Sequence, residues 1–99
     1  MATENETTEV IRIDDTDLRD DISYHLCKAY YCADNLGYEW CSEIKELVTT
    51  LYRGEGGPFL EVSALAHVKG LVNTTKYEPL AATFRKHMRR AFHHIDSVE

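Results

Sequence analysis

The chain has 99 residues, 43% of them hydrophobic and 28% charged, which is enough for one globular domain with a modest core. This composition counts against disorder along the whole length, and no apolar run approaches the roughly 18–20 residues that span a bilayer. The net charge of −6 counts against a general nucleic-acid coat protein.

The charge is unevenly distributed along the chain. Residues 1–56 carry thirteen acidic and five basic side chains, a net −8, whereas residues 57–99 carry four acidic and six basic ones, a net +2. Such polarity suits head-to-tail association or a partner with a complementary patch.

The N-terminal segment, residues 1–8, is polar and acidic and is interpreted as a flexible tail, which leaves residues 9–99 as a single helical domain. It resembles neither a secretory signal nor a basic transit peptide, so we expect a cytoplasmic protein that does not enter a membrane. An odd number of cysteines does not indicate a disulfide framework. They are expected to be small hydrophobic residues in or near the core: Cys27, Cys32 and Cys41.

The first elements are a short strand and a long helix. Residues 10–13 favour a strand, and Asp15 or Thr16 is expected to cap the helix that follows. Acidic residues in its first turns suit the helix dipole, and Gly37 suits the left-handed position at its end. Apolar residues recur at spacings of three and four: Leu18, Ile22, Leu26, Ala29, Ala33 and Leu36.

A second helix is predicted from about Glu39 to Arg53, and its very short connection to the first predicts an antiparallel hairpin. Residues 54–58 (GEGGP) are the strongest break in the chain. The apolar face of this second helix is expected to comprise Trp40, Ile44, Leu47, Val48 and Leu51.

The second half is less regular. Residues 59–62 either pair as a strand with residues 10–13 or lead directly into a helix. Ser63 is a candidate cap for a third helix reaching about Val72, and Pro79 suits the first turn of the last helix. The residues expected to face the core are Leu65, Val68 and Val72, then Leu80, Phe84, Met88, Ala91 and Ile95.

These elements predict a mostly α fold, a compact bundle of about four helices, with a possible two-stranded β element. The alternative is an α+β domain in which the two short strands pair.

The first helix has a second face. Tyr24, Lys28 and Tyr31 lie at spacings of four and three, roughly 150° from the apolar stripe. Tyrosine combines a large apolar ring with a polar tip, which suits a protein interface or a homodimer contact. The other interpretation is a central helix whose two sides are buried within its own domain.

The last helix is basic on the side away from its core stripe. Its cations suit phosphates, guanine edges or an acidic protein, although the loop before this helix is long and lacks the usual helix-turn-helix glycine. The other interpretation is a solvated face that balances the acidic half of the same protein. The face comprises Arg85, Lys86, Arg89, Arg90 and His93.

The sequence gives only weak signals for a metal site or a catalytic site. Cys27 and Cys32 do not share a helical face, His87 and His94 are only two ligands, and no metal or other cofactor is expected. No nucleophile has an evident base, residues 54–57 lack the context of a phosphate loop, and His25 and His67 are interpreted as structural. No motif assigns the chain to a family.

We therefore expect a non-enzymatic interaction protein, an adaptor or inhibitor, that binds a protein partner and self-associates. Small size without catalytic chemistry is also typical of virus-encoded accessory regulators. The alternatives are a nucleic-acid-binding protein that uses the last helix, and a protein that binds a small anionic ligand or nucleotide at an oligomer interface.

Overall fold

The computed structural model describes residues 9–52 and 59–98, and it confirms a mostly helical fold with a small antiparallel sheet. The tail at residues 1–8, Arg53 and the break at residues 54–58 lie outside the described part. The elements in chain order are strand β1 (Val10–Arg12), helices α1 (Thr16–Asn35) and α2 (Cys41–Tyr52), strand β2 (Phe59–Glu61), helix α3 (Val62–Asn73), a 3-10 turn (Pro79–Ala81) and helix α4 (Ala82–Asp96).

The strand interpretation of residues 59–62 is confirmed for the first three of them. β1 and β2 pair antiparallel with Ile11 opposite Leu60, and the Val62 N–H donates to the Glu9 carbonyl at 2.9 Å. Leu60 and the neighbouring Ile13 are buried in the core. The sheet therefore joins the start of the domain to its middle through apolar side chains.

Both ends of α1 lie where the sequence predicts them, whereas the start of α3 does not. Asp15 caps α1 by accepting a hydrogen bond from the Leu18 N–H at 3.2 Å, and Gly37 has φ +82° beyond its end. Ser63 is not the cap of α3, because that helix starts at Val62 with Glu61 in the cap position.

The start of α2 is also later than predicted. Helical structure begins at Cys41, because residues 38–40 form a turn in which the rings of Tyr38 and Trp40 stack with centroids 4.8 Å apart. Both rings lie close to Phe84 of α4. This turn thus connects the hairpin to the last helix through aromatic contacts.

The predicted core stripe of the last helix holds except at one position. Phe84, Met88, Ala91 and Ile95 are buried, but Leu80 is 85% exposed and Ala81 takes its place in the core. The reason is local geometry, because residues 79–81 form a 3-10 turn with about three residues per turn, which shifts the inward direction by one position.

Two helices flank α1 on opposite sides of its apolar stripe. The Tyr52 hydroxyl, at the end of α2, donates to the Asp20 carboxylate near the start of α1 at 2.8 Å, so the predicted hairpin is confirmed. On the other flank, α4 contacts α1 along much of its length, and Ala29 and Ala33 are completely buried.

Candidate interaction surface

The side of α1 that faces away from the core is open. Tyr24 is 56% and Tyr31 is 63% exposed, so neither ring is enclosed by the domain itself. The Lys28 ammonium lies 5.5 Å from the centroid of the Tyr24 ring, within the range of a cation–π contact. The structure therefore places Tyr24, Lys28 and Tyr31 at the surface, as their spacing predicts.

Tyr31 borders a groove between α1 and α2. Its ring meets that of Tyr30 edge to face, with centroids 5.5 Å apart. The groove has a volume of about 430 Å³ and its floor is mainly apolar. It is lined by Cys27, Tyr30, Tyr31, Lys45, Val48 and Thr49.

Tyr24 leads to the opposite flank, where α1 meets α4 at a histidine cluster composed of His25, His87 and His94. The Nδ1 atoms of His25 and His87 are 3.4 Å apart, which permits a hydrogen bond when one of them carries the proton. The His94 ring stacks on His25 at 5.7 Å, and the Tyr24 ring meets His25 edge to face at 5.2 Å. The sequence analysis paired His87 with His94 as two ligands but interpreted His25 as structural, and it missed the cluster of all three.

Positive charge gathers around this cluster from both helices. Burial lowers the pKa of His87 below 6.5, and the charges of Lys86, Lys28 and Arg90 lower it further. Burial likewise lowers the pKa of His25, with further lowering by His87, His94 and Arg90, whereas Asp21 acts in the opposite direction. Neutral imidazoles are therefore favoured within a cationic surrounding.

The cations involved have no acidic partner in the described structure. Across residues 9–52 and 59–98, no carboxylate oxygen lies within 4.0 Å of the charged atoms of Lys28, Lys86 or Arg90. We call the region formed by Tyr24, Lys28, Lys86 and Arg90 around the histidine cluster the α1–α4 surface.

The basic residues of α4 do not form one uniform face. Arg90 lines a groove on the α1 side together with His25 and His94, whereas Arg85 lines a groove between α3 and α4, and Arg89 lines both of these grooves. His93 also borders both grooves, and Lys86 is exposed. The sequence-based projection grouped these residues because it did not indicate where the neighbouring helices lie.

Arg85 is held by its own chain. Its Nη1 group donates to the Thr75 carbonyl and, at 2.8 Å, to the Glu78 carbonyl, and its side chain is half-buried. The carboxylate of Glu78 accepts a hydrogen bond from the Tyr38 hydroxyl instead, and burial, followed by this bond, raises the Tyr38 pKa. Arg85 therefore fixes the connection between α3 and α4.

All five histidines and all three cysteines lie among the described residues. No set of three His, Cys, Asp or Glu side chains within them is arranged to hold a metal ion. Cys41 is buried, Cys27 and Cys32 are half-buried, and all three are unpaired thiols. His67 of α3 lies at the surface, 4.0 Å from Glu43.

None of the helices in the described part has the length and apolar character needed to cross a membrane. Comparison of the chain with protein-family models, with curated proteins and with solved structures gives no match.

Proposed function

We propose that the protein is a non-enzymatic interaction protein, an adaptor or inhibitor, that binds an acidic protein partner through the α1–α4 surface. The observation that carries this proposal is the gathering of Lys28, Lys86 and Arg90 around His87 without a neutralising carboxylate among the described residues. Like charges that face each other repel within a monomer, whereas a partner of opposite charge relieves the repulsion on binding.

Aromatic anchors lie beside these cations. Tyr24 contacts both Lys28 and His25, so an apolar ring and a positive patch are continuous at this flank of α1. Tyrosine next to basic residues is typical of protein interfaces, in which an aromatic anchor provides buried area and the charges provide orientation. Tyr31 and the groove beside it extend the surface towards α2.

Self-association is part of the same proposal, because the acidic first turns of α1 supply the opposite charge in a second copy. The unpaired thiols fit a reducing compartment such as the cytoplasm.

Affinity capture from the native host tests the proposal. Wild-type protein is compared with a Lys86→Glu/Arg90→Glu variant and with a Lys69→Glu/Lys76→Glu variant that has the same net charge but is altered elsewhere. We expect one acidic protein to be captured by the wild type and by the second variant, and to be lost with the first. Equal capture by all three would show that the α1–α4 surface is not the binding site.

Nucleic-acid binding is the alternative use of the cations of α4, favoured by the exposure of Lys86, Arg89 and Arg90. It predicts that duplex DNA or RNA binds tightly at low salt and that the affinity falls steeply as salt rises, with a flatter slope in Arg89→Ala. If no nucleic acid binds at low salt, this alternative is excluded. If nucleic acid binds through Lys86 and Arg90 and no acidic protein is captured, the leading proposal is wrong.

A further inference from the structure

We propose that the groove between α3 and α4 binds a small organic phosphate ester of nucleotide size, at a site separate from the α1–α4 surface. The groove has a volume of about 750 Å³, within the range of small-molecule sites. We call it the α3–α4 groove. It is lined by Lys69, Val72, Asn73, Lys76, Arg85, Arg89, Phe92, His93 and Asp96.

Arg85 is the centre of the proposed phosphate site. Its Nη1 group is engaged by the carbonyls of Thr75 and Glu78, so the guanidinium is held in place before any ligand arrives. The Nε and Nη2 groups have no acceptor among the described residues, and these two groups form the edge that binds two oxygens of a phosphate at once.

Two further cations adjoin Arg85. Arg89 follows one helical turn later on α4, and Lys76 belongs to the connection that Arg85 holds. Neither has a carboxylate within 4.0 Å in the described structure, and the ammonium of Lys76 lies 5.1 Å from the Tyr77 ring centroid. Three cations at one end of a groove suit a ligand that carries several negative charges.

The rest of the groove has different chemistry. Asp96 lies eleven residues after Arg85, which places it roughly 16 Å further along α4, where Lys69 is its partner at 4.0 Å. Between the two ends lie Val72 and Phe92, both half-buried. The order along the groove is therefore cationic, apolar and then an ion pair of Lys69 with Asp96, which matches a phosphorylated molecule with an organic body and a polar end.

Isothermal titration calorimetry on the full chain at low salt tests this inference with three probes: ATP, inorganic triphosphate and adenosine. We expect ATP to bind more tightly than triphosphate, because Val72 and Phe92 contact its organic part, and adenosine alone to give no measurable heat. Arg89→Ala should weaken ATP binding by about tenfold or more, since it removes charged hydrogen bonds. Arg85→Lys keeps the charge but loses the two-oxygen edge and should weaken it similarly, with circular dichroism as the check on folding.

Lys86→Ala is the matched control, because it removes one positive charge from the same helix without altering the lining of the groove. Its affinity for ATP should stay within about twofold of wild type, since screened surface charges act weakly at a distance. An equal loss in Lys86→Ala and Arg89→Ala would reduce the effect to net charge and overturn the proposal. So would adenosine binding as tightly as ATP, or no binding of either phosphate. Because partner capture depends on Lys86 and Arg90, either proposal can fail while the other stands.

Discussion

At the scale of single residues, the two tyrosines of α1 and the histidines beside them differ in how strongly the fold constrains them. Tyr24 and Tyr31 are more than half exposed, so their rings contribute little to the core. His25 and His87 are half-buried and touch each other across two helices. The tyrosine rings are thus available for binding, whereas the pKa values of the histidines depend on the folded structure.

Replacing both tyrosines with alanine should leave the domain stable. We expect Tyr24→Ala/Tyr31→Ala to change the free energy of unfolding by no more than about 1 kcal/mol, because surface substitutions away from the core usually have small effects. Urea denaturation followed by circular dichroism measures this. A loss of several kcal/mol would mean that the rings support the fold, and the interface role would then have no basis.

The histidine pair should make the domain sensitive to acid. Because the pKa of His25 and that of His87 are lowered from 6.5 in the folded state, the unfolded chain takes up protons first as the pH falls. The stabilisation is therefore complete above about 6.5 and is lost progressively below it. Arg90, Lys86 and Lys28 strengthen this dependence.

Urea denaturation between pH 7.5 and 5 would measure this acid sensitivity. A His25→Gln/His87→Gln variant provides the comparison, and we expect its free energy of unfolding to vary less with pH than that of the wild type. Parallel profiles for the two proteins would contradict the assignment of the effect to this pair. Asp21 faces His25 and weakens the response without reversing it.

At the scale of elements, the start of α4 shows how a short turn changes which residues are buried. The 3-10 turn at Pro79–Ala81 directs Ala81 into the core and leaves Leu80 in solvent, while Phe84 occupies the centre beside Tyr38 and Trp40. The turn therefore decides which residue enters the core just before α4.

Substitutions at the two positions should differ sharply. Leu80→Ala is expected to change the free energy of unfolding by no more than about 0.5 kcal/mol, because the side chain is already in water. Phe84→Ala should cost about 3–5 kcal/mol through lost burial and a cavity. Thermal denaturation of both variants measures the contrast, and equal losses would place Leu80 in the core after all.

The sequence predicts features that depend on a single helix and fails where the outcome depends on a turn or on a neighbouring helix. Apolar spacing, an acidic cap and a glycine were sufficient to locate α1, because those signals act within a single helix. The prediction that Leu80 faces the core was wrong, because a 3-10 turn does not keep the period of an α-helix. The contact of His25 with His87 and the tethering of Arg85 depend on which flank faces which neighbour, and local patterns do not contain that information.

At the scale of the whole molecule, an acidic chain presents two adjoining cationic regions. The α1–α4 surface and the α3–α4 groove lie on two flanks of α4 with Arg89 and His93 between them, and the acidic first turn of α1 is also exposed. One molecule therefore carries regions of both signs, which is the charge arrangement that the proposed self-association uses.

The proposed self-association should accordingly depend on salt and on the tyrosines. We expect the mass measured by sedimentation velocity to fall between about 0.02 M and 0.3 M salt, because the Debye length shortens over this range. Tyr24→Ala/Tyr31→Ala should lower the mass already at low salt. If the mass depends neither on salt nor on the two tyrosines, the α1–α4 surface does not bind a second copy of the chain.

The contact between His25 and His87 also has a consequence for the order of folding. It joins positions 62 residues apart, and the flank of α1 that it closes is covered by α4. Until α4 docks, the part of the apolar side of α1 that α4 covers is exposed to water, and closing so long a loop is an entropic barrier. A fragment that stops before residue 82 should therefore collapse without reaching a native core, and association of a separate α4 peptide should complete it.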